Sequence, residues 1–268
     1  MFAADPKVLA RIAPVVRRVV IADPNVASAR VLQDILKSLG SREVVIEHEE
    51  ARVVELIREV EPGILFTERT GAQLDGESLT RKLRRSNLAS RKVPVIMVTA
   101  EATASTIKGA RDSGVHEFLR KPFTTTDLLR RIENVACKPR DWVEAVGYVG
   151  PDRRRFNSGE YNGPHKRKAD KPESAADAAL AIRDQAFRIL ASCLVQFDND
   201  PNQAVRAVKQ QAETLKALAI KTADARMAIA ASTLEASIEG GSVTRTSLQE
   251  PIKAILALAE APPVARTG

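Results

Sequence analysis

The chain has 268 residues, of which 44% are hydrophobic and 28% charged, so a buried core can form and general disorder is excluded. Aromatic residues make up 4%, which argues against sites that hold ligands between several aromatic rings. The net charge is +7, and residues 138–172, with 9 basic and 5 acidic residues, supply +4 of it. Two cysteines cannot form a disulfide framework. Together with the lack of a long apolar run, they predict a cytoplasmic protein without a membrane span.

Residues 16–137 alternate short β-rich runs with stretches of helical spacing. The β-rich runs are Arg18–Ala22, Glu43–His48, Gly63–Thr67, Val93–Val98 and Val115–Leu119. Five strands that alternate with helices predict an α/β domain with a doubly wound parallel sheet and helices on both faces. Thr124 and Asp127 have the spacing of a capping box at the start of its last helix.

Residues 138–172 show neither the hydrophobic period of a strand nor that of a helix, and they are rich in proline and glycine. This composition, with its excess of basic residues, predicts a basic linker. The segment contains a repeat. The sequence YVGPDRRR at Tyr148–Arg155 recurs thirteen positions later as YNGPHKRK at Tyr161–Lys168. Chance is a poor explanation for a tyrosine, a Gly-Pro pair and a basic triplet in the same register, so we interpret the repeat as a short interaction motif in two copies.

The basic residues of the repeat allow three interpretations. They are Arg153, Arg154, Arg155, Lys166, Arg167 and Lys168. They could simply keep a linker solvated, as charge runs usually do. They could dock on an acidic protein surface with Tyr148 and Tyr161 as anchors, or they could bind the phosphates of a cyclic dinucleotide or a nucleic acid.

Residues 173–262 are rich in alanine and predict four helices, at roughly 174–197, 201–219, 222–239 and 247–260. The boundary signals are Ser174 with Asp177, Asp200 before Pro201, the pair Gly240-Gly241, and Ser247 with Glu250. Short connections between such helices favour an antiparallel α-helical bundle. A dimeric bundle fits the pattern as well as a monomeric one.

Residues 16–137 resemble the receiver domain of bacterial response regulators. The resemblance is carried by four segments in the expected order: VVIADPNVASARVLQDIL, ILFTERTGAQLDG, VPVIMVTA and SGVHEFLRKPF. It implies a flavodoxin-like fold and a role in two-component, phosphorelay or chemotaxis-like signal transduction. It does not imply an enzyme.

The resemblance also implies where a phosphoryl site would lie. In the family, an aspartate after the third strand accepts the phosphoryl group, and two acidic residues after the first strand help to hold Mg²⁺. A Thr or Ser after the fourth strand and a Lys after the fifth bind the phosphoryl oxygens. In this sequence Thr99 and Lys121 match, but the acceptor position is Glu68, and Asp23 is followed by Pro24 instead of a second acid.

These two departures predict that the domain does not accept phosphate and has no bound metal or cofactor. Glutamate is one methylene longer than aspartate, so its carboxylate projects to where a phosphoryl group would begin. We expect Glu68 to pair with Lys121 and Thr99 and to mimic part of the phosphorylated state, with Phe118 at the position of the family's switch aromatic residue. The alternative is that Glu68 and Lys121 are only a buried ion pair in a decayed site.

The C-terminal run QAETLKA resembles the motif of histidine phosphotransfer domains, with Glu213 at the histidine position. A generic helical bundle or dimerisation module remains the alternative. The sequence therefore predicts a pseudo-receiver adaptor that binds a histidine kinase, a phosphotransfer protein or a downstream target. The alternatives are a phosphate-accepting response regulator, or a protein that binds cyclic di-GMP or nucleic acid through the basic repeat, since some receiver-like proteins carry arginine-rich tails that bind cyclic di-GMP.

Overall fold

The computed structural model of the chain describes residues 5–153, 174–240 and 243–259. These residues fall into two compact units. The first contains the chain up to Val143 and resumes at Tyr148, and the second contains Glu144–Gly147 and the helices that follow residue 174. Each unit has its own hydrophobic core.

The first unit is built on a sheet of five parallel strands. Its strands are β1 (Arg18–Ala22), β2 (Glu43–Glu47), β3 (Ile64–Thr67), β4 (Thr70–Gly71), β5 (Leu74–Asp75), β6 (Val95–Thr99) and β7 (Glu117–Arg120). The order in the sheet is β2-β1-β3-β6-β7, all parallel, while β4 and β5 pair separately as a hairpin. Every residue of β3 and β6 is buried, as expected for strands covered on both faces. The predicted five-stranded, doubly wound fold is confirmed.

Helices cover both faces of this sheet. They are α1 (Pro6–Val16), α2 (Val26–Ser38), α3 (Glu50–Val60), α4 (Gly76–Arg85), α5 (Ala104–Ser113) and α6 (Thr125–Cys137). Apolar side chains of α2 and α6 pack on one face, and those of α3, α4 and α5 pack on the other. The predicted capping box of Thr124 and Asp127 is present at the start of α6.

Helix α1 was not predicted from the sequence. Asp5 caps it by accepting a hydrogen bond from the backbone N–H of Lys7 at 2.9 Å, and Pro6 occupies its first turn. Ile12 and Val16 are fully buried in the same core as α2 and α6. The first unit therefore begins earlier than the predicted start at residue 16.

The start of residues 138–172, which was predicted to be a linker, contains two short strands. Strands β8 (Trp142–Glu144) and β9 (Val149–Pro151) pair with each other. Strands of three residues are too short to show an alternating hydrophobic pattern, which explains why the sequence did not reveal them.

A buried arginine lies beside this hairpin. Arg84, at the end of α4, is 0% exposed. Its guanidinium donates hydrogen bonds to three backbone carbonyl oxygens, at 3.0 Å to Gly114, 2.6 Å to Arg91 and 2.9 Å to Val93. It also lies 5.3 Å from the ring centre of Trp142, within cation–π range. Burial lowers the pKa of Arg84 to about 9, which leaves the side chain charged at neutral pH.

The described residues of the second unit form four helices, as predicted. They are α7 (Ala175–Gln196), α8 (Pro201–Thr222), α9 (Ala225–Glu239) and α10 (Arg245–Ala257). Each helix packs against the next, and α10 packs against α7, around one apolar core. The predicted cap at Ser247 is wrong. Thr244, three residues before Ser247, caps α10 and forms a capping box with Ser247. Within the described part of the chain, no helix combines the length and hydropathy needed to cross a membrane.

Candidate functional site

The predicted site residues meet at the carboxyl edge of the parallel sheet. Asp23 follows β1, Glu68 follows β3, Thr99 ends β6 and Lys121 follows β7. Because the carboxyl ends of parallel strands share one edge, four residues far apart in sequence come together there. This edge is where open α/β sheets usually bind ligands.

Lys121 is the centre of the site. Its ammonium Nζ donates to Glu68 Oε2 at 2.6 Å and to Asp23 Oδ2 at 2.8 Å. Burial acts to lower the pKa of Lys121, but the hydrogen bonds and charges of Asp23 and Glu68 outweigh it and raise the pKa above its ordinary 10.5. The lysine is therefore held in its charged form between two carboxylates.

Both carboxylate oxygens of Glu68 are engaged. Oε2 accepts from Lys121, and Oε1 accepts from the backbone N–H of Arg69 at 2.8 Å. The backbone is held as well, because Glu68 N–H donates to Ala22 O at 2.8 Å. Gly76 packs closely against the backbone of Glu68, since a Cβ atom at position 76 would lie 2.2 Å from the carbonyl oxygen of Glu68. The loop thus holds the Glu68 carboxylate in one place.

Asp23 has no second acid beside it. Its Oδ2 binds Lys121, while Oδ1 accepts from the backbone N–H of Asn25 at 2.8 Å. Pro24 occupies the place of the second acid and packs against Gly71, where a Cβ atom would lie 2.4 Å from the proline ring. The described residues contain no group of three or more His, Cys, Asp or Glu side chains that could hold a metal ion.

The donor set differs from the one that receiver domains use for Mg²⁺. Mg²⁺ takes oxygen ligands in octahedral geometry and is usually bound through one or two carboxylates. Here one of the family's two acidic positions is a proline, and Lys121 binds an oxygen of each remaining carboxylate. The Lys121 ammonium therefore balances part of the charge of these two carboxylates.

Thr99 and Phe118 lie beside this cluster. The backbone N–H of Lys121 donates to Thr99 O at 2.9 Å, while the Thr99 hydroxyl accepts from Glu101 N–H at 3.4 Å. Among the described residues, Thr99 has no hydrogen bond to Glu68, unlike the expected pairing. Phe118 is 3% exposed and packs in the core on the face covered by α3, α4 and α5, so its ring points inward.

Sequence reasoning missed an ion-pair network above the site. The guanidinium of Arg69 binds the carboxylate of Glu101 and lies 4.0 Å from that of Glu77. Arg69 lies just after β3, Glu101 lies just after β6 and Glu77 lies in the first turn of α4. Arg69 therefore links three segments around Glu68. The signal was available, since Arg69 directly follows the acceptor position and Glu101 lies two residues after Thr99.

The other predicted site residues lie elsewhere. Arg153 forms an ion pair with Asp112 at 2.9 Å, so its guanidinium is already engaged. Arg154, Arg155, Lys166, Arg167 and Lys168 lie outside the described residues. Glu213 is exposed on α8, and the nearby Lys216 forms an ion pair with Glu235 at 2.6 Å. Binding of cyclic di-GMP and the phosphotransfer resemblance stay predictions.

Comparisons with known proteins agree with this description. The family model for the response regulator receiver domain matches residues 19–133. Over 119 residues the chain is 26% identical to the chemotaxis protein CheY1 of Helicobacter pylori, a match that covers 44% of this chain and 95% of CheY1. Over 147 residues it is 28% identical to the transcriptional regulatory protein PdtaR of Mycobacterium tuberculosis, covering 54% of this chain and 69% of PdtaR.

The chain is also similar to a solved structure. A putative response regulator from Chloroflexus aurantiacus superposes with a TM-score of 0.43 and 23% identity, over 46% of this chain and 98% of its own. The family match, the strand order and the residues at the carboxyl edge of the sheet lead to one conclusion. Residues 19–133 of this chain are a response regulator receiver domain.

Proposed function

We propose that the receiver domain of this chain is a pseudo-receiver, which signals by binding other proteins without accepting a phosphoryl group. The observation that carries the proposal is the bridge made by Lys121, 2.6 Å from Glu68 and 2.8 Å from Asp23. In this arrangement a permanent carboxylate already holds the lysine that a phosphoryl group would otherwise recruit. Glu68 thereby supplies one fixed negative charge at the acceptor position.

The chemistry of phosphoryl transfer supports the same proposal. An acceptor carboxylate needs an oxygen free for in-line attack and a cation to neutralise the charge that develops on the phosphoryl oxygens. Both oxygens of Glu68 already accept hydrogen bonds, one from Lys121 and one from the backbone of Arg69. Pro24 removes a carboxylate that would help to hold the cation.

The output of such a domain is protein binding. Receiver domains are signalling modules that interact with histidine kinases and other signalling proteins. We therefore assign this chain the role of an adaptor or competitor that binds a kinase, a phosphotransfer protein or a downstream target. In the helical unit, Glu213 is exposed on α8 where the resemblance places a histidine, so that unit would likewise bind without transferring phosphate.

Incubation with a small phosphodonor and Mg²⁺, followed by intact-mass measurement, tests the proposal. We expect no adduct on the natural chain, because both oxygens of Glu68 already accept hydrogen bonds and the site lacks its second acid. The matched control is the double variant Pro24→Asp/Glu68→Asp, which restores both residue types that the family uses and should gain the mass of one phosphoryl group. A stoichiometric adduct on the natural chain that disappears in Glu68→Gln would show that the chain accepts phosphate.

A further inference from the structure

The first copy of the Tyr-x-Gly-Pro repeat is bound to a surface of the receiver domain. We call this the docking surface and define it by Arg84, Asp112 and Gly114, which belong to the same compact unit as Tyr148 and the residues after it. It lies apart from the site at the carboxyl edge of the sheet, because Gly114 precedes β7 whereas Lys121 follows it. Nothing in the receiver chemistry uses this surface.

Tyrosine, glycine and proline of the motif act together in this contact. Tyr148 is 7% exposed and donates its hydroxyl hydrogen to Pro151 O at 2.6 Å. Gly150 has φ +156° and faces Gly114, where a Cβ atom would lie 2.8 Å from Gly114 Cα and 2.7 Å from the Tyr148 hydroxyl. Only glycine permits this approach, so the Gly-Pro pair sets the shape of the bound motif.

A cation completes the motif. The guanidinium of Arg153 lies 4.4 Å from the ring centre of Tyr148 and donates to Asp112 Oδ1 at 2.9 Å. Burial acts to raise the pKa of Asp112, but hydrogen bonds from Arg111 and Arg153 outweigh it and lower the pKa. The Asp112 carboxylate is therefore charged when it meets the cation.

The second copy carries the residues that make these contacts. Tyr161, Gly163, Pro164 and Lys166 stand at the positions of the first copy's tyrosine, glycine, proline and first arginine. The main difference is Asn162, which stands where the first copy has a valine that is 4% exposed. Burying an amide there is unfavourable unless it finds hydrogen-bond partners, so the second copy should bind more weakly.

We propose that the docking surface is a binding site for Tyr-x-Gly-Pro-x-cation peptides, and that the second copy of the motif in the same chain replaces the first copy on it. The first copy is the major occupant and the second copy the minor one. Both belong to one chain, so the second copy is present at high effective concentration and takes over when the first copy is weakened or bound by a partner. The repeat is then a pair of competing ligands for one surface.

Amide NMR signals of Asp112 and Gly114 in the full chain test this exchange. Gly150→Ala should displace the first copy, because φ +156° and the contact with Gly114 both exclude a side chain. We expect these signals to stay close to their natural positions in this variant and to shift in Gly150→Ala/Gly163→Ala, where neither copy can bind. Gly147→Ala is the control, since a Cβ atom there has its nearest contact at 3.5 Å, with Gln196 Oε1.

A peptide of residues 159–170 provides a second arm, in which the second copy of the motif is added as a separate molecule. Added to the double variant, it should return the signals of Asp112 and Gly114 to their bound positions, and the same peptide with Gly163→Ala should bind at least about tenfold more weakly. The proposal is overturned if the single and double variants give the same spectrum, or if the two peptides bind equally. It is also overturned if the bound signals of the single variant depend on protein concentration, since the second copy would then come from another chain.

Discussion

Replacing Arg84 with methionine should destabilise the receiver domain by about 3–5 kcal/mol. The substitution removes the donors for three backbone carbonyl oxygens, those of Gly114, Arg91 and Val93, while the aliphatic side chain fills much of the same space. The bonds to the carbonyl oxygens of Gly114 and Val93 are buried, so water does not readily replace the donor that they lose. The midpoint of urea unfolding, followed by circular dichroism, measures the loss.

Arg81→Met on the same helix is the matched control. Arg81 is exposed, and its ion pair with Glu77 at 3.5 Å is of the kind that contributes about 0–1 kcal/mol. The account of Arg84 is contradicted if Arg84→Met lowers the free energy of unfolding no more than Arg81→Met does. The carbonyl oxygens around Arg84 would then not need its hydrogen bonds.

Replacing Lys121 with methionine should destabilise the domain by about 2–4 kcal/mol. The variant leaves the carboxylates of Asp23 and Glu68, whose side chains are 6% and 13% exposed, without their shared cation. Lys82→Met is the control, because Lys82 pairs with Glu50 at the same 2.6 Å but its side chain is 65% exposed. Equal losses in the two variants would mean that the Lys121 bridge is an ordinary surface pair.

The Lys121 bridge also predicts a pH dependence. The pKa of Lys121 is raised in the folded state, so the stability it contributes is fully present below its unfolded value of 10.5 and is lost as the pH rises through the folded value. The difference in unfolding free energy between the natural chain and Lys121→Met should therefore be constant between neutral pH and pH 10.5 and should shrink above pH 10.5. If the difference in unfolding free energy between the two proteins became smaller as the pH fell from 10.5 towards neutrality, the predicted direction of the pH dependence would be wrong.

The fold of the first unit was largely predictable because its strands are continuous apolar runs. The run Val93–Val98 predicted a strand, and the observed strand Val95–Thr99 is buried at every position. The positions of Asp23, Glu68 and Lys121 followed from the resemblance to receiver domains. The pairing of Lys121 with Glu68 was expected as well, but the second bond of Lys121, to Asp23, was not, because it depends on side-chain directions that no spacing encodes.

Other features could not be read from local patterns. Arg84 lies in the basic run RKLRR, which resembles a solvated face, yet it is buried together with Thr80 one turn earlier. The cap of α10 was misplaced by three residues because Thr244 and Ser247 are both favoured capping residue types. Strand β9 contacts α4 and Gly114, which are distant from it in sequence.

A crystal structure of the natural chain grown with beryllofluoride and Mg²⁺ tests the central claim most directly. Beryllofluoride binds acceptor carboxylates as a stand-in for a phosphoryl group, so it reports whether Glu68 can take one. We expect Glu68 to carry no beryllofluoride and Lys121 to keep its bonds to Glu68 and Asp23. Beryllofluoride bonded to Glu68, with a divalent ion beside Asp23, would contradict the account.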